Sequence, residues 1–117
     1  MIPNYLVTTN DAGDTDYVLD TPVMYWSPRY ENFIRIPSGY HSDGSTGALD
    51  IHSLSWWVHD KICNDPTFED ETPITAWMAA SVLYDILRSE GRWIRARTWR
   101  YSTFFMGCTK ARKNGWV

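Results

Sequence analysis

Between Pro37 and Leu54 the hydrophobic period of this chain changes, and that change limits the folds open to it. Upstream, apolar and β-branched residues come in short runs separated by turn formers. Tyr5-Leu6-Val7-Thr8-Thr9 precedes the cluster Asn10-Asp11-Ala12-Gly13-Asp14, and Tyr17-Val18-Leu19 is closed by Asp20-Thr21-Pro22. Val23-Met24-Tyr25-Trp26 stops at Ser27-Pro28, and Phe33-Ile34-Arg35-Ile36 stops at Pro37-Ser38-Gly39. Short runs at this spacing predict an antiparallel β-meander over residues 1–37. Residues 38–52 are rich in Ser, Gly, Asp and Thr and read as a polar loop.

Helical spacing begins at Ser53, where Leu54, Trp57 and Val58 fall at i, i+3 and i+4, and Asn64-Asp65-Pro66 ends that helix. Thr72 as N-cap and Pro73 at the first helical position predict a second helix running to Glu90, with Gly91 as its C′ residue. Glu69-Asp70-Glu71 suits the positive end of its dipole. A last helix starts near Trp93, carries Trp99 and Phe104-Phe105, and is bent or ended by Gly107. Strands first and about three helices over residues 53–115 define an α+β chain. At 117 residues with no dividing linker, this is one domain over residues 1–117.

Charge separates the two halves. The net charge of −3 argues against a nucleic-acid footprint, which needs a basic face. From Arg88 to Lys113, however, eight basic residues stand against one acid, Glu90, with Trp93, Trp99 and Tyr101 interleaved. That stripe is either a solvated face balancing the acidic first half or a contact for phosphate or an acidic partner. Cys63 and Cys108 show no CxxC spacing, which predicts free thiols and a reducing compartment. The first residues lack a basic, then apolar, leader pattern, so no signal peptide is expected. No run approaches eighteen apolar residues, so no membrane span is expected.

The candidate chemistry lies in His41–Asp60, which holds all three histidines: His41, His52 and His59. Asp43 in the turn Asp43-Gly44-Ser45 either bonds its own backbone or reaches His59. A carboxylate–imidazole pair is the minimal kit for general acid–base work, and with His41 it is a partial ligand set for a divalent metal such as zinc. Asp60 adjoins His59 but points about 100° away on a helix. Tyr40, Trp56 and Trp57 are candidate walls of a pocket for a sugar-containing substrate. Asp85 shares a helical stripe with Ile74, Met78 and Val82, so it needs a partner: an arginine from the last helix, or the His59 site. The order His41…Gly47-Ala48-Leu49-Asp50…His59 faintly resembles the zinc D-Ala-D-Ala peptidases, but with adjacent Gly and Ala and the wrong gaps. The doublet His59-Asp60 is similar to that of HD-type phosphohydrolases, which need a further His and Asp on other helices.

A broader likeness covers residues 22 to 115. Ile36-Pro37-Ser38-Gly39-Tyr40-His41-Ser42-Asp43-Gly44-Ser45, then Trp57-Val58-His59-Asp60-Lys61-Ile62-Cys63, then Ala79-Ala80-Ser81-Val82-Leu83-Tyr84 through Gly91, then Arg95-Ala96-Arg97-Thr98-Trp99-Arg100-Tyr101 stand in order. In order and spacing they resemble the DUF1353 family of tailed phages and prophages. The resemblance matches Asp43 to the family's Thr-Asp aspartate, places Ser45 near its serine, and matches His59 and Asp60 to its His-Asp. Thr46-Gly47-Ala48 stands where the family has Pro-Arg, Ile62-Cys63 where it has Leu-Tyr, and Ala80-Ser81 where it has Ala-Asp, so Asp85 one turn later is the nearest substitute. The resemblance implies a phage or prophage origin, in host cytoplasm or virion; small size, many aromatics and the basic last helix suit an accessory or virion-associated protein that binds a phage or host protein. The alternative is a small, metal-assisted hydrolase of cell-wall or phosphoester substrates using Asp43, His59 and Asp60, with Ser45, Asp85 or His41 in support.

Overall fold

The computed structural model describes residues 4–9, 13, 15–42, 54–106 and 109–117. Strands come first: β1 (Tyr5–Thr9), β2 (Thr15–Leu19), β3 (Val23–Ser27), β4 (Asn32–Ile36) and the short β5 (His41–Ser42). Helices follow, and among the described residues they are α1 (Leu54–Asn64), α2 (Ala76–Ser89), α3 (Trp93–Met106) and α4 (Thr109–Lys113). This is the α+β order expected from the change of period.

The strands divide into two sheets instead of one continuous meander. β1 and β2 form a hairpin with Tyr5 opposite Leu19, and β3 and β4 form another with Val23 opposite Ile36. β2 and β3 do not pair; β5 takes the other edge of β2. The cause is the Pro37-Ser38-Gly39 turn. Gly39 adopts φ +84, a left-handed conformation that costs glycine little, and donates its N–H to the Leu19 carbonyl. Leu19 in turn donates to the Tyr40 carbonyl at 2.9 Å, so the chain is led back onto β2.

The β3–β4 hairpin alternates as a half-buried sheet should. Val23, Ser27, Ile34 and Ile36 point inward, while Met24, Trp26, Phe33 and Arg35 point out. On the helical side, α1 buries Trp56, Trp57, Val58 and Ile62, and α2 buries Ala79, Val82 and Ile86. With Ile34, Ile36, Ile74 and Phe68 these make one core. Leu83 and Leu87 lie on another side of α2 and pack with Ala96 of α3 in a smaller cluster.

Helix ends explain the boundaries. α2 starts three residues later than the Thr72-Pro73 signal implies: its N-cap is Thr75, whose Oγ1 accepts from the Met78 N–H at 3.3 Å. Thr67 and Pro73 form an isolated bridge, and Ile74 donates to the Pro66 carbonyl, so Pro73 is held extended. The N–H groups of Ala76 and Trp77, orphaned in the first turn, are satisfied by the carbonyls of Gly115 and Trp116. At the other end Gly91 donates to Arg88 and Arg92 donates to Leu87, with Gly91 at φ +79: a Schellman motif where the sequence places C′.

Cys63 is disulfide-bonded, which overturns the expectation of free thiols; the other cysteine of the sequence, Cys108, lies outside the described residues. The CxxC criterion sees only neighbours in sequence, whereas this bond depends on what the fold brings to the end of α1. Gly107 lies outside the described residues too. Among the described residues no helix is long and apolar enough to cross a membrane.

The core assignment separates two tryptophans. Trp57 is wholly buried and Trp26 is 45% exposed. Chemical denaturation should show Trp57→Ala losing about 3–5 kcal/mol, as a cavity forms that the sheet and α2 cannot fill. Trp26→Ala should stay within about 0.5 kcal/mol of the parent.

Candidate functional site

α1 carries Trp56, Trp57, His59 and Asp60, which the sequence singles out. Asp60 and Asn64, one turn apart, face Tyr40 as it leaves the Pro37-Ser38-Gly39 turn. The Tyr40 hydroxyl donates to Asp60 Oδ2 at 2.9 Å and accepts from Asn64 Nδ2 at 2.8 Å. Asn64 Nδ2 also reaches the Asp60 carbonyl at 3.0 Å. Burial, with the nearby Asp60 charge adding to it, holds the Tyr40 phenol well above its ordinary pKa, so it stays a donor. Tyr40 therefore ties the strand region to α1.

His59 faces elsewhere, as helical geometry requires. Its Nδ1 is buried and has no hydrogen-bond partner among the described residues, while Nε2 lies 3.6 Å from Cys63 Sγ one turn on. Burial pushes the imidazole pKa down to about 4, so the ring is neutral at physiological pH. His59 and Asp60 thus have separate surroundings and do not converge on one ion. Asp43 and Ser45 lie outside the described residues, as do Asp50 and His52.

His41, the third candidate ligand, is exposed on β5, where its Nδ1 pairs with Asp16 Oδ2 of β2. No group of three or more metal-ligating side chains occurs among the described residues. Trp56 and Trp57 belong to the core and not to a pocket wall, with 5% and 0% of their surface exposed. The Trp57 ring packs 5.9 Å from Tyr5. Their helical spacing fits either role, and only the depth at which α1 sits decides between them.

Asp85 does find an arginine, but from a different place than expected. Arg29, in the β3–β4 turn, donates Nε–H and Nη2–H to the two carboxylate oxygens, each at 2.8 Å. The hydrogen bond to Asp85 raises the Arg29 pKa further. Arg100 of α3 is engaged with rings instead. Its guanidinium carbon lies 4.4 Å from the Trp77 centroid and 4.5 Å from that of Tyr84. Arg100 also donates to the Oγ of fully buried Ser81, the position where the resembled family has aspartate, at 3.5 Å.

The basic stripe becomes a defined surface. Among its described side chains α3 buries only Ala96 and Thr103. Trp93, Ile94 and Tyr101 are exposed by 57%, 85% and 58%, and with Arg97 they share one face at helical spacing. Arg88, from the end of α2, lies 3.9 Å over the Trp93 ring. Arg95 rests on Trp99 and Arg112 on Trp116. Such contacts occur about once per 70–80 residues in ordinary proteins, so their recurrence here is a feature of this half. A ring orients a guanidinium without neutralising it. No carboxylate pairs with Arg88, Arg97 or Arg100 among the described residues.

Sequence reasoning marked the basic stripe but missed Ile94 and the stacking of Arg88 on Trp93. The five-residue step from Arg88 to Trp93 crosses the Gly91 turn, which no single-helix pattern captures. Comparison of the chain with family models, with curated proteins and with solved structures returned no match.

The depressed His59 pKa sets a pH dependence. A ring that stays neutral in the fold and protonates more readily in the unfolded chain gives its full stability above pH 6.5, lost as pH falls towards 4. The loss attributable to this ring should be about 3 kcal/mol over that window. Urea titrations from pH 7 to pH 4 should show it in the parent and show it removed in His59→Leu.

Proposed function

We propose that this chain is an accessory protein that works by binding an acidic protein partner through the outer face of α3 and the adjoining end of α2. The observation that carries the reading is Ile94. It is 85% exposed and flanked on one helical face by Trp93, Arg97 and Tyr101, with Arg88 stacked on Trp93. Aromatic and arginine side chains around an apolar centre are the composition of interface hot spots. Arg88, which rests on a ring and pairs with no carboxylate among the described residues, remains available to acidic groups. Peptide carboxylates fit this face better than a duplex backbone, because its centre is apolar and the whole chain is net negative.

The likeness to the DUF1353 family supports a phage or prophage setting with a phage or host protein as partner, and the Cys63 disulfide favours the virion over the reducing host cytoplasm. The hydrolase reading receives less support from the described residues. Asp60 is engaged with Tyr40 and Asn64, and the His59 ring, with its Nδ1 buried, lies beside Cys63.

Fluorescence anisotropy with a labelled peptide of glutamate and leucine tests the proposal, with a DNA duplex of matched charge as the comparison. The peptide should bind, and binding should weaken as salt rises. Arg88→Glu with Arg97→Glu, and separately Ile94→Asp, should each lower affinity about tenfold or more. Absence of peptide binding, or tighter binding of the duplex, would overturn it.

A further inference from the structure

A cavity of about 550 Å3 lies between the β3–β4 hairpin and the C-terminal half of α2, on residues that take no part in the α3 face. Tyr25, Trp26, Pro28, Arg29, Asp85 and Ser89 line it. Its size falls within the roughly 300–1,000 Å3 usual for small-molecule sites.

The lining combines an apolar platform with a matched set of donors and acceptors. Trp26 and Pro28 offer the platform, and the Trp26 ring is braced by Phe33, with centroids 4.8 Å apart. Each Asp85 oxygen accepts one hydrogen bond from Arg29 and retains capacity for another. Arg29 retains further N–H donors beyond the pair it gives to Asp85. Ser89 Oγ donates to the Ile86 carbonyl at 2.7 Å, so towards the cavity it acts as an acceptor. The Arg29 and Asp85 charges cancel, which disfavours a net-charged ligand over a neutral one.

The cavity is also held in shape before anything enters. The bidentate Arg29–Asp85 pair joins the hairpin turn to α2 across 56 residues of sequence. Inside the turn, buried Ser27 accepts the Tyr30 N–H through its Oγ. Fixed geometry of this kind lowers the ordering cost of binding. Burial pushes the Tyr25 phenol up to about 12, with the Asp85 charge adding to it, so that hydroxyl remains a hydrogen-bond donor.

We infer that this cavity is a saccharide site, taking a neutral pyranoside whose C–H face lies on Trp26 and whose adjacent hydroxyls meet Asp85 and Arg29. A vicinal diol both donates and accepts at neighbouring atoms, as the Asp85–Arg29 pair requires. A flat heterocycle would use the ring platform but would leave much of an open cavity of this size unfilled.

Titration of the whole chain with diacetylchitobiose, maltose, lactose and mannobiose, followed by calorimetry and by the indole N–H resonances, tests the inference. Guanosine and an anionic naphthalene dye serve as the competing ligand classes. At least one disaccharide should bind with Kd of about 1 mM and move the Trp26 resonance. Trp26→Ala should weaken that binding about tenfold or more. Asp85→Asn tests the polar half of the site and should weaken it comparably, with an unchanged Trp57 environment reporting that the fold is intact. No disaccharide binding, binding indifferent to Trp26→Ala in folded protein, or binding of guanosine or the dye in place of the sugars would overturn the inference.

Discussion

The enclosure of Trp57 organises this protein. Its indole is wholly buried where α1 meets the strands, with Tyr5 of β1 against it and Val58 and Ile62 buried along the same helix. Burying so large a ring is worth several kcal/mol and fixes how α1 is rotated. Once that rotation is set, the fate of His59 and Asp60 follows. Asp60 is turned to Tyr40 and Asn64, and His59 is turned away from them, its Nδ1 buried and its Nε2 beside Cys63. A doublet adjacent in sequence is thereby split between two environments, one polar and one that keeps imidazole neutral.

The same hierarchy accounts for the surface. α2 directs Ala79, Val82 and Ile86 to the main core and Leu83 and Leu87 to the other side. α3 packs on that second side with Ala96, and it buries little else among its described side chains. α3 packs along α2, yet so few of its described side chains are fully buried that apolar and aromatic groups remain outside. Large exposed apolar groups rimmed by charge mark interaction surfaces in soluble domains.

Much of the fold was legible because its signals are local. The strand runs are bounded by Pro, Gly and Asn–Asp clusters, and Gly91 stops α2 through a backbone conformation that glycine adopts readily. The start of α2 was misplaced because Thr72 and Thr75 are both acceptable caps. The choice between them is made by distant groups: the Asn114 side chain holding the Ile74 carbonyl, and Pro66 holding the Ile74 N–H. The site was less legible for the same reason. That Asp85 needs a partner is visible in its stripe, but Arg29 lies 56 residues away in a different type of element. Trp56 and Trp57 carry identical sequence signals whether they line a pocket or fill a core. Ile94 reads as one more apolar residue until α3 is seen to pack on its other side.

Charge on this molecule is handled by rings as much as by opposite charge. Arg88, Arg95, Arg100 and Arg112 all rest on tryptophan or tyrosine, whereas Arg29 forms a bidentate ion pair with Asp85 at 2.8 Å. The first arrangement keeps cations presented on a surface, and the second locks two elements together. Hydroxyl-radical footprinting of the chain, alone and with an acidic peptide bound, tests the division most directly. The account predicts that protection appears at Trp93, Ile94 and Tyr101 and leaves Tyr40 and His59 unchanged. Protection centred on Tyr40 and His59, with α3 still fully reactive, would contradict it.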